Sequence, residues 1–355
     1  MIVVIADDLS GAAELAGAAV RHGLSAEVQT EFTPGAGADV VCVDTDTRLL
    51  PPKQAARQVE AVARSVVAAR PDWIFKKCDS VLRGPVVAEA RAVARIAGRT
   101  GLRIVSANPT RGRIVRDGCY FIDGQPLHET TFARDPSHPC TTSRIADLLG
   151  GDLAGIETPD VQTMAGVRQQ AATLPGDTLP VGAADFFAAL LESRVPSRPA
   201  PPPSAAPADP AGATLAVCGS AASWAQRRQE AVARHIPVFA LPHDVAGAIR
   251  AMQSSHRILL GIGDHPASRG VSPAVLLNQL AAAVAIIVRQ APVTRLLLEG
   301  GATTAAVVRA LGWSRLQVCQ VSAPGIGALR PVNSTGPILF IKPGSYAWPE
   351  AIWPN

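Results

Sequence analysis

The sequence predicts an α/β fold with two domains, each a mainly parallel sheet flanked by helices. Three observations carry that reading. Short apolar runs of strand length alternate with longer stretches whose apolar residues recur at helical spacing, the pattern of a parallel α/β sheet. A proline-rich stretch interrupts the alternation once, in a chain of 355 residues that at roughly 100–200 residues per domain holds two or three. Glycine and polar residues follow the apolar runs directly, where open parallel sheets present ligand-binding loops.

The elements follow in order. Residues 2–6 are an apolar run suited to a buried parallel strand. Ala12, Leu15, Ala16, Ala19 and Val20 recur at helical spacing, and Gly23 is a natural stop. A buried strand is expected at 39–43. A helix follows at 53–70, with Val59, Val62, Ala63 and Val66 on one face. Strand 73–76, helix 86–96 and strand 102–106 continue the alternation. Residues 114–127 break it: Asp117-Gly118 and Asp123-Gly124 flank CYFI, a hairpin signal. Helices are expected near 143–149, 163–173 and 184–192. Seven prolines between 196 and 210 make 195–212 an extended linker rather than a helix or central strand. The expected domains are therefore 1–194 and 213–355. The second resumes with strand 214–218, a helix to about Arg234, and strands 238–241 and 257–262. Helix 273–290, strand 295–298, helix 303–311 and strand 338–341 complete it. Ala323-Pro324-Gly325-Ile326-Gly327 reads as a plain turn.

Composition excludes several classes. Hydrophobic residues make up 48% and charged residues 17%, enough to bury a core and unlike a disordered chain. A net charge of +4 over this length is too mild to indicate nucleic-acid binding, and suits a small anion only weakly. No run approaches the roughly 20 uninterrupted apolar residues of a membrane span. No basic segment precedes the first strand, so a cytoplasmic protein without a signal peptide is expected. The six cysteines form no CxxC pair and the seven histidines no HExxH, so metal ligands remain unassigned. A homodimer face among the apolar helices is indistinguishable from core. GxxxxGK[ST], GxGxxG after a strand and GxSxG are all absent, which disfavours P-loop NTPases, dinucleotide dehydrogenases and α/β-hydrolases.

The chemistry concentrates in the loops after the strands. Asp7 and Asp8 could hold a substrate hydroxyl or a metal ion, although Asp8 or Ser10 would equally cap the next helix. Arg48 ends the loop Asp44-Thr45-Asp46-Thr47-Arg48 and offers a fork to a carboxylate. Lys76, Lys77, Asp79, Ser80 and Arg83 form the densest polar cluster of the chain. Only four of the 33 basic residues are Lys, and three of those four lie beside such loops. In the second half, Gly219-Ser220 and Glu299-Gly300-Gly301-Ala302-Thr303-Thr304 each join a strand to a helix. Lys342-Pro343-Gly344-Ser345 follows another strand. Glycines there let backbone N–H groups approach phosphate, and a helix N-terminus favours anions.

In order along the chain, IADDLSGA (5–12), DTDTR (44–48), KKCDSVLRG (76–84), NPTRGRIVRDGCYFIDGQPL (108–127), FARDPSHP (132–139), CGSAAS (218–223), EGGATT (299–304) and KPGS (342–345) are similar to segments of one family. The chain resembles the four-carbon acid sugar kinases, which act on 3-oxo-tetronate, threonate and erythronate. The resemblance implies an N-terminal sugar-acid domain, a C-terminal ATP domain and an active site in the cleft between them. It implies contacts to the acid from Asp7, Asp8, Arg48, Lys76, Lys77, Asp79, Ser80 and Arg83. Asp8, Asp79 and Lys77 would be catalytic, with either aspartate as base. Ser220, Ser223, Gly300, Gly301, Ala302, Thr303 and Gly344 would contact ATP, with Mg²⁺ accompanying it. Ala302 stands where the family usually carries an acidic residue, and Val81 where Thr is usual. GSAASWAQRRQ fits the family's Ser-rich loop with a one-residue offset, and Gly182-Ala183-Ala184-Asp185 lacks its usual Ser. These departures leave open a non-catalytic or weakly active sugar-acid and nucleotide binder, or a kinase of another small hydroxy acid. A sugar-acid dehydrogenase is the remaining alternative, opposed by the absent dinucleotide fingerprint.

Overall fold

A computed structural model describes residues 1–355 apart from 135–137, 197, 199–211, 264–269, 324–325, 333, 343–347, 351 and 354–355. The linker expected at 195–212 therefore lies almost wholly outside the described residues. The chain divides into two compact units, Met1–Pro201 and Pro202–Asn355.

The first unit runs β1 (Ile2–Ala6), α1 (Leu9–Arg21), β2 (Ala26–Gln29), β3 (Val40–Asp44), α2 (Pro52–Ala68), β4 (Trp73–Lys77), α3 (Val86–Ile96) and β5 (Gly101–Val105). Then come β6 (Arg113–Arg116), β7 (Cys119–Ile122), β8 (Gln125–Pro126), α4 (Ile145–Leu148), β9 (Ile156–Glu157), α5 (Met164–Ala172), β10 (Thr178–Gly182) and α6 (Ala184–Arg194). The main sheet has the order β2-β3-β1-β4-β10-β5-β9, and its pairings are parallel. Helices α1, α5 and α6 pack together, and α2 packs on α3. Two helical layers covering the two faces explain why β1 and β3 are buried along their whole length. Phe75, Phe186 and Phe187 anchor the core; the Phe75 and Phe187 ring centroids lie 5.2 Å apart, edge to face.

Strands β6, β7 and β8 form a separate antiparallel sheet. Both of its turns have positive φ at their central residues: 52° and 67° at Asp117-Gly118, 50° and 84° at Asp123-Gly124. That is the backbone a two-residue hairpin turn demands, and Asp-Gly tolerates it.

The second unit runs β11 (Thr214–Cys218), α7 (Ala221–Ala233), β12 (Val238–Ala240), α8 (Val245–Ser255), β13 (Arg257–Gly261), α9 (Pro273–Gln290) and β14 (Arg295–Glu299). It ends with α10 (Gly301–Leu311), β15 (Arg315–Ala323), β16 (Ile326–Pro331) and β17 (Ile338–Lys342). The order is β12-β13-β11-β14-β17-β16-β15, parallel as far as β17 and antiparallel beyond it. The plain turn expected at 323–327 is mostly strand: Ala323 ends β15 and Ile326-Gly327 begin β16, Ala323 pairing with Ile326, while 324–325 lie outside the described residues. Trp224, Trp348, Ile352 and Trp353 build the core with Leu259 and Leu297. Helix α9 is long and apolar enough to cross a membrane by length and composition, which no uninterrupted apolar run announced because Asn278 and Gln279 break it. Its residues Leu280, Ala281, Val284 and Ile287 are buried where the helix packs against α8, α10 and β13.

Candidate active site

In the first unit, register brings the loops to one level. Ala6 pairs with both Asp44 and Lys77, and Gly182 with both Lys77 and Val105. Residues 7, 45, 78, 106 and 183 thus leave the sheet side by side at its carboxyl edge. The β1 loop leads into the layer of α1, whereas the β3 and β4 loops lead to α2 and α3 in the other layer. Such a divergence opens a crevice, the usual ligand position in an open α/β sheet.

Asp8 caps α1: its Oδ1 accepts from the Gly11 N–H at 2.8 Å and its Oδ2 from the Ser10 hydroxyl. The neighbouring loop lays Arg48 across both aspartates. The Thr47 and Arg48 N–H groups donate to the Asp7 carbonyl, and Thr45 Oγ1 to the Ala6 carbonyl. The guanidinium then donates from Nε to Asp7 at 2.7 Å and from both terminal nitrogens to Asp8 at 2.7–2.8 Å. Burial alone would raise Asp7, but Arg48 and Lys76 hold its carboxyl below the usual carboxylate range.

The third loop wraps Asp79. Arg83 grips it with two parallel N–H donors at 2.8 Å, the Val81 and Arg83 backbone N–H groups add two longer contacts, and Arg48 stands 3.8 Å away. Burial opposes ionisation, yet Arg83 and Arg48 hold this carboxyl far below its usual range. The loop fits tightly: Gly84 has φ +85°, and a Cβ there would lie 2.8 Å from the Arg48 carbonyl oxygen. Val81, where the family usually carries Thr, is buried beside Asp79.

Lys76 and Lys77 part ways because successive strand residues point to opposite faces. Lys76 is buried in an ion pair with Glu89 of α3, 2.8 Å away, and is neutralised inside the fold. Lys77 lies on the α1 side, against Gly11 and the first helical turn. Burial would lower it, but Glu14 and Asp7 outweigh burial and keep its ammonium above the ordinary value. Ser80 is half-buried and accepts from Arg113 at the start of β6. In sequence, Asp44 belongs only to a polar loop. It is buried at the end of β3, and burial beside Asp46 pushes its carboxyl well above the usual range.

The second unit repeats the layout with different chemistry. Cys218, Glu299 and Lys342 are register partners, so their loops also emerge together. Ser220 caps α7 through the Ser223 N–H, and the Ser223 hydroxyl donates to Ser220 Oγ at 3.3 Å. Gly300, at φ +98°, opens α10, whose N-terminus carries no side-chain cap. Unsatisfied N–H groups there are a ready phosphate site. Thr303 lies against Gly219, where a Cβ would meet its Oγ1 at 2.1 Å; Thr304 Oγ1 donates to the Gly300 carbonyl at 2.9 Å. Ala302 is exposed in the first turn, and Gly344 lies outside the described residues.

Beneath these loops, buried Glu299 bridges Lys342 at 2.9 Å and Arg227 at 3.0 Å. Trp348 and Trp353 stack under those two cations. The sequence reading assigned no role to Glu14, Glu89, Arg113, Phe132 or Arg227. Arg113, Phe132 and Arg227 lie within segments similar to the family, yet no local pattern singles out any of the five, since each reaches its partner through tertiary packing. Among the described residues no group of three or more His, Cys, Asp or Glu could hold a metal ion.

The model of a sugar-binding N-terminal domain matches residues 2–179. The chain is similar to a D-threonate kinase of Salmonella typhimurium, 35% identical over 42% of this chain and 36% of that protein, so the match spans about a third of the relative's length. It is similar to a 3-oxo-tetronate kinase of Cupriavidus necator, 26% identical over 98% of this chain and 94% of that protein. A solved Haemophilus influenzae protein of the DUF1537 family shares the fold, with TM-score 0.71 at 18% identity, covering 99% of this chain and 98% of that one. A Bordetella bronchiseptica DUF1537 protein, solved as a domain-swapped dimer with bound citrate, has TM-score 0.50 at 25% identity, covering 98% and 94%.

Proposed function

The chain belongs to the family that carries the sugar-binding N-terminal domain, and from that premise we propose that it is an ATP-dependent kinase phosphorylating a hydroxyl of a four-carbon sugar acid. One observation carries this reading. Asp8, Arg48, Lys77, Asp79, Ser80 and Arg83 converge at the carboxyl ends of three neighbouring parallel strands, within the matched segment. The first unit would hold the acid. The second would hold Mg²⁺-ATP at the uncapped start of α10 and around Ser220. Phosphoryl transfer asks for positioning and charge neutralisation more than covalent chemistry, which suits fixed carboxylates, guanidiniums and a helix N-terminus.

Roles can be divided. Both aspartates accept donors on both oxygens, so exposure and proton affinity divide them. Against burial, Arg83 and Arg48 suppress the proton affinity of Asp79, which positions Arg83 rather than accepting a proton. Asp8 is the more exposed carboxylate and is the base for the acceptor hydroxyl. Lys77 supplies positive charge near the transferring group, and Lys76 serves the fold. Citrate on the Bordetella protein is a hydroxy acid, the chemical class proposed here, and the dimer described for that protein makes a homodimer the expected assembly.

The test is ADP release from Mg²⁺-ATP across D- and L-threonate, D- and L-erythronate and their 3-oxo forms. Turnover with one acid, lost at least 100-fold in Asp79→Ala, is the expected result. Nucleotide binding without ADP release on any acid would reject the kinase and favour a binding protein, the reading that exposed Ala302 supports.

A further inference from the structure

Charge accounting around the carboxyl end of the first sheet leaves one cation over. Arg48 is neutralised by Asp7 and Asp8, Arg83 by Asp79, and Lys76 by Glu89. Lys77 lies in the fields of Glu14 and Asp7. Arg113 has no such partner: among the described residues, no carboxylate lies within ion-pair distance of its guanidinium. Its side chain instead donates to the neutral hydroxyl of Ser80. It also lies over the Phe132 ring at 5.8 Å, a ring that Arg83 approaches at 5.3 Å.

The position is built. Arg113 opens the antiparallel hairpin, and its backbone pairs in both directions with that of Asn108. The Asn108 side chain accepts from the Asp185 N–H at 2.9 Å, and the Asp185 carboxylate accepts from the Thr110 N–H and hydroxyl. The hairpin base is thereby tied to the start of α6, beside the other loops of the crevice. The Phe132 ring lies beside the guanidinium and favours its present position. A fixed guanidinium with donors to spare is the geometry that takes a carboxylate by a two-pronged fork.

The geometry points to Arg113 as the specificity-determining residue that reads the carboxylate of the bound acid, with Ser80 placed next to it and Phe132 favouring its position. This rests on the first unit being the acid site. Arg113 is not among the acid contacts that the family resemblance implies, which include Arg48 and Arg83. Those two already spend their forks on aspartates of the protein.

The experiment is titration calorimetry of the full chain, without nucleotide, using threonate and erythronate of both hands and their neutral amides. The wild type should prefer an acid over its amide by about 10- to 100-fold, the worth of a charge-assisted fork. Arg113→Ala should lose that preference while its affinity for the amide stays within about threefold of wild type. Arg113→Lys, which keeps the charge but not the fork, should fall between them. Thermal unfolding of both variants checks that the hairpin survives. A wild-type preference retained in Arg113→Ala overturns the assignment, as does a wild type that binds no acid or does not distinguish acid from amide. A wild type that shows the preference but releases no ADP from Mg²⁺-ATP refutes the kinase reading alone and leaves Arg113 in place.

Discussion

At the scale of single residues, adjacent lysines with identical chemistry are proposed to divide between stability and function. Lys76 and Lys77 differ only in the face of β4 from which they project. Lys76 and Glu89 are both about 1% exposed, so removing either strands a charge in the interior. Glu89→Ala should therefore cost about 3–5 kcal/mol in urea unfolding, as expected when one member of a buried pair is lost. Lys77→Ala should instead reduce turnover with little change in the unfolding midpoint. A stability loss confined to Lys77→Ala would reverse the two roles. Sequence could not make this distinction: KKCDS presents both lysines as one polar cluster, and only strand parity and the position of α3 separate them. For the same reason Glu89, in the interior of a predicted helix, gave no sign that it balances a buried lysine.

At the scale of elements, the proposed nucleotide site depends on the turn that opens helix α10. Its first residue follows Gly300 at φ +98°, a conformation that L side chains rarely adopt. Gly300 also donates to the Lys342 carbonyl at 2.9 Å, which ties the turn to the end of β17. Gly300→Ala would strain that backbone by about 1–2 kcal/mol and tilt the uncapped N–H groups. The expected outcome is a severalfold rise in the KM for ATP with the KM for the acid unchanged. Equal effects on both constants would remove α10 from the nucleotide site. Elements that sequence made legible have clean periodicity, and β1, α3, β11 and α9 coincide with the expected spans. Those it missed have physical reasons. Pro180 sits in β10, between β4 and β5, although proline usually argues against a central strand. Glu27 and Gln29 make β2 look like a polar loop, yet both are buried and hydrogen-bonded to each other. Strand β9 has two residues, and β15 carries register shifts against β16 that blur its period.

At the scale of the whole chain, the two units use one architectural rule for two chemistries. Each gathers its polar residues where neighbouring parallel strands end in register. The first presents paired carboxylates and guanidiniums, suited to an acid's hydroxyls and carboxylate. The second presents glycines, hydroxyls and a bare helix N-terminus, suited to phosphate. Each unit has its own core, and the acid and the nucleotide are proposed to bind to different units. Binding energies should then separate. In calorimetry on the full chain, Asp79→Ala should abolish measurable affinity for the acid and leave that for a non-hydrolysable Mg²⁺-nucleotide within about twofold. Gly300→Ala should weaken the nucleotide severalfold and leave the acid within about twofold. For milder pairs, such as Ser80→Ala with Gly300→Ala, the losses in binding free energy should add within about 0.5 kcal/mol. Turnover should not behave this way. Transfer needs both ligands positioned at once, so either substitution alone removes much of the rate and the second removes less than its own share. Additive binding with sub-additive turnover is the signature of two separate ligand sites serving one reaction. Strong coupling in binding itself would place acid and nucleotide on a shared set of residues and reject the division of labour between the units.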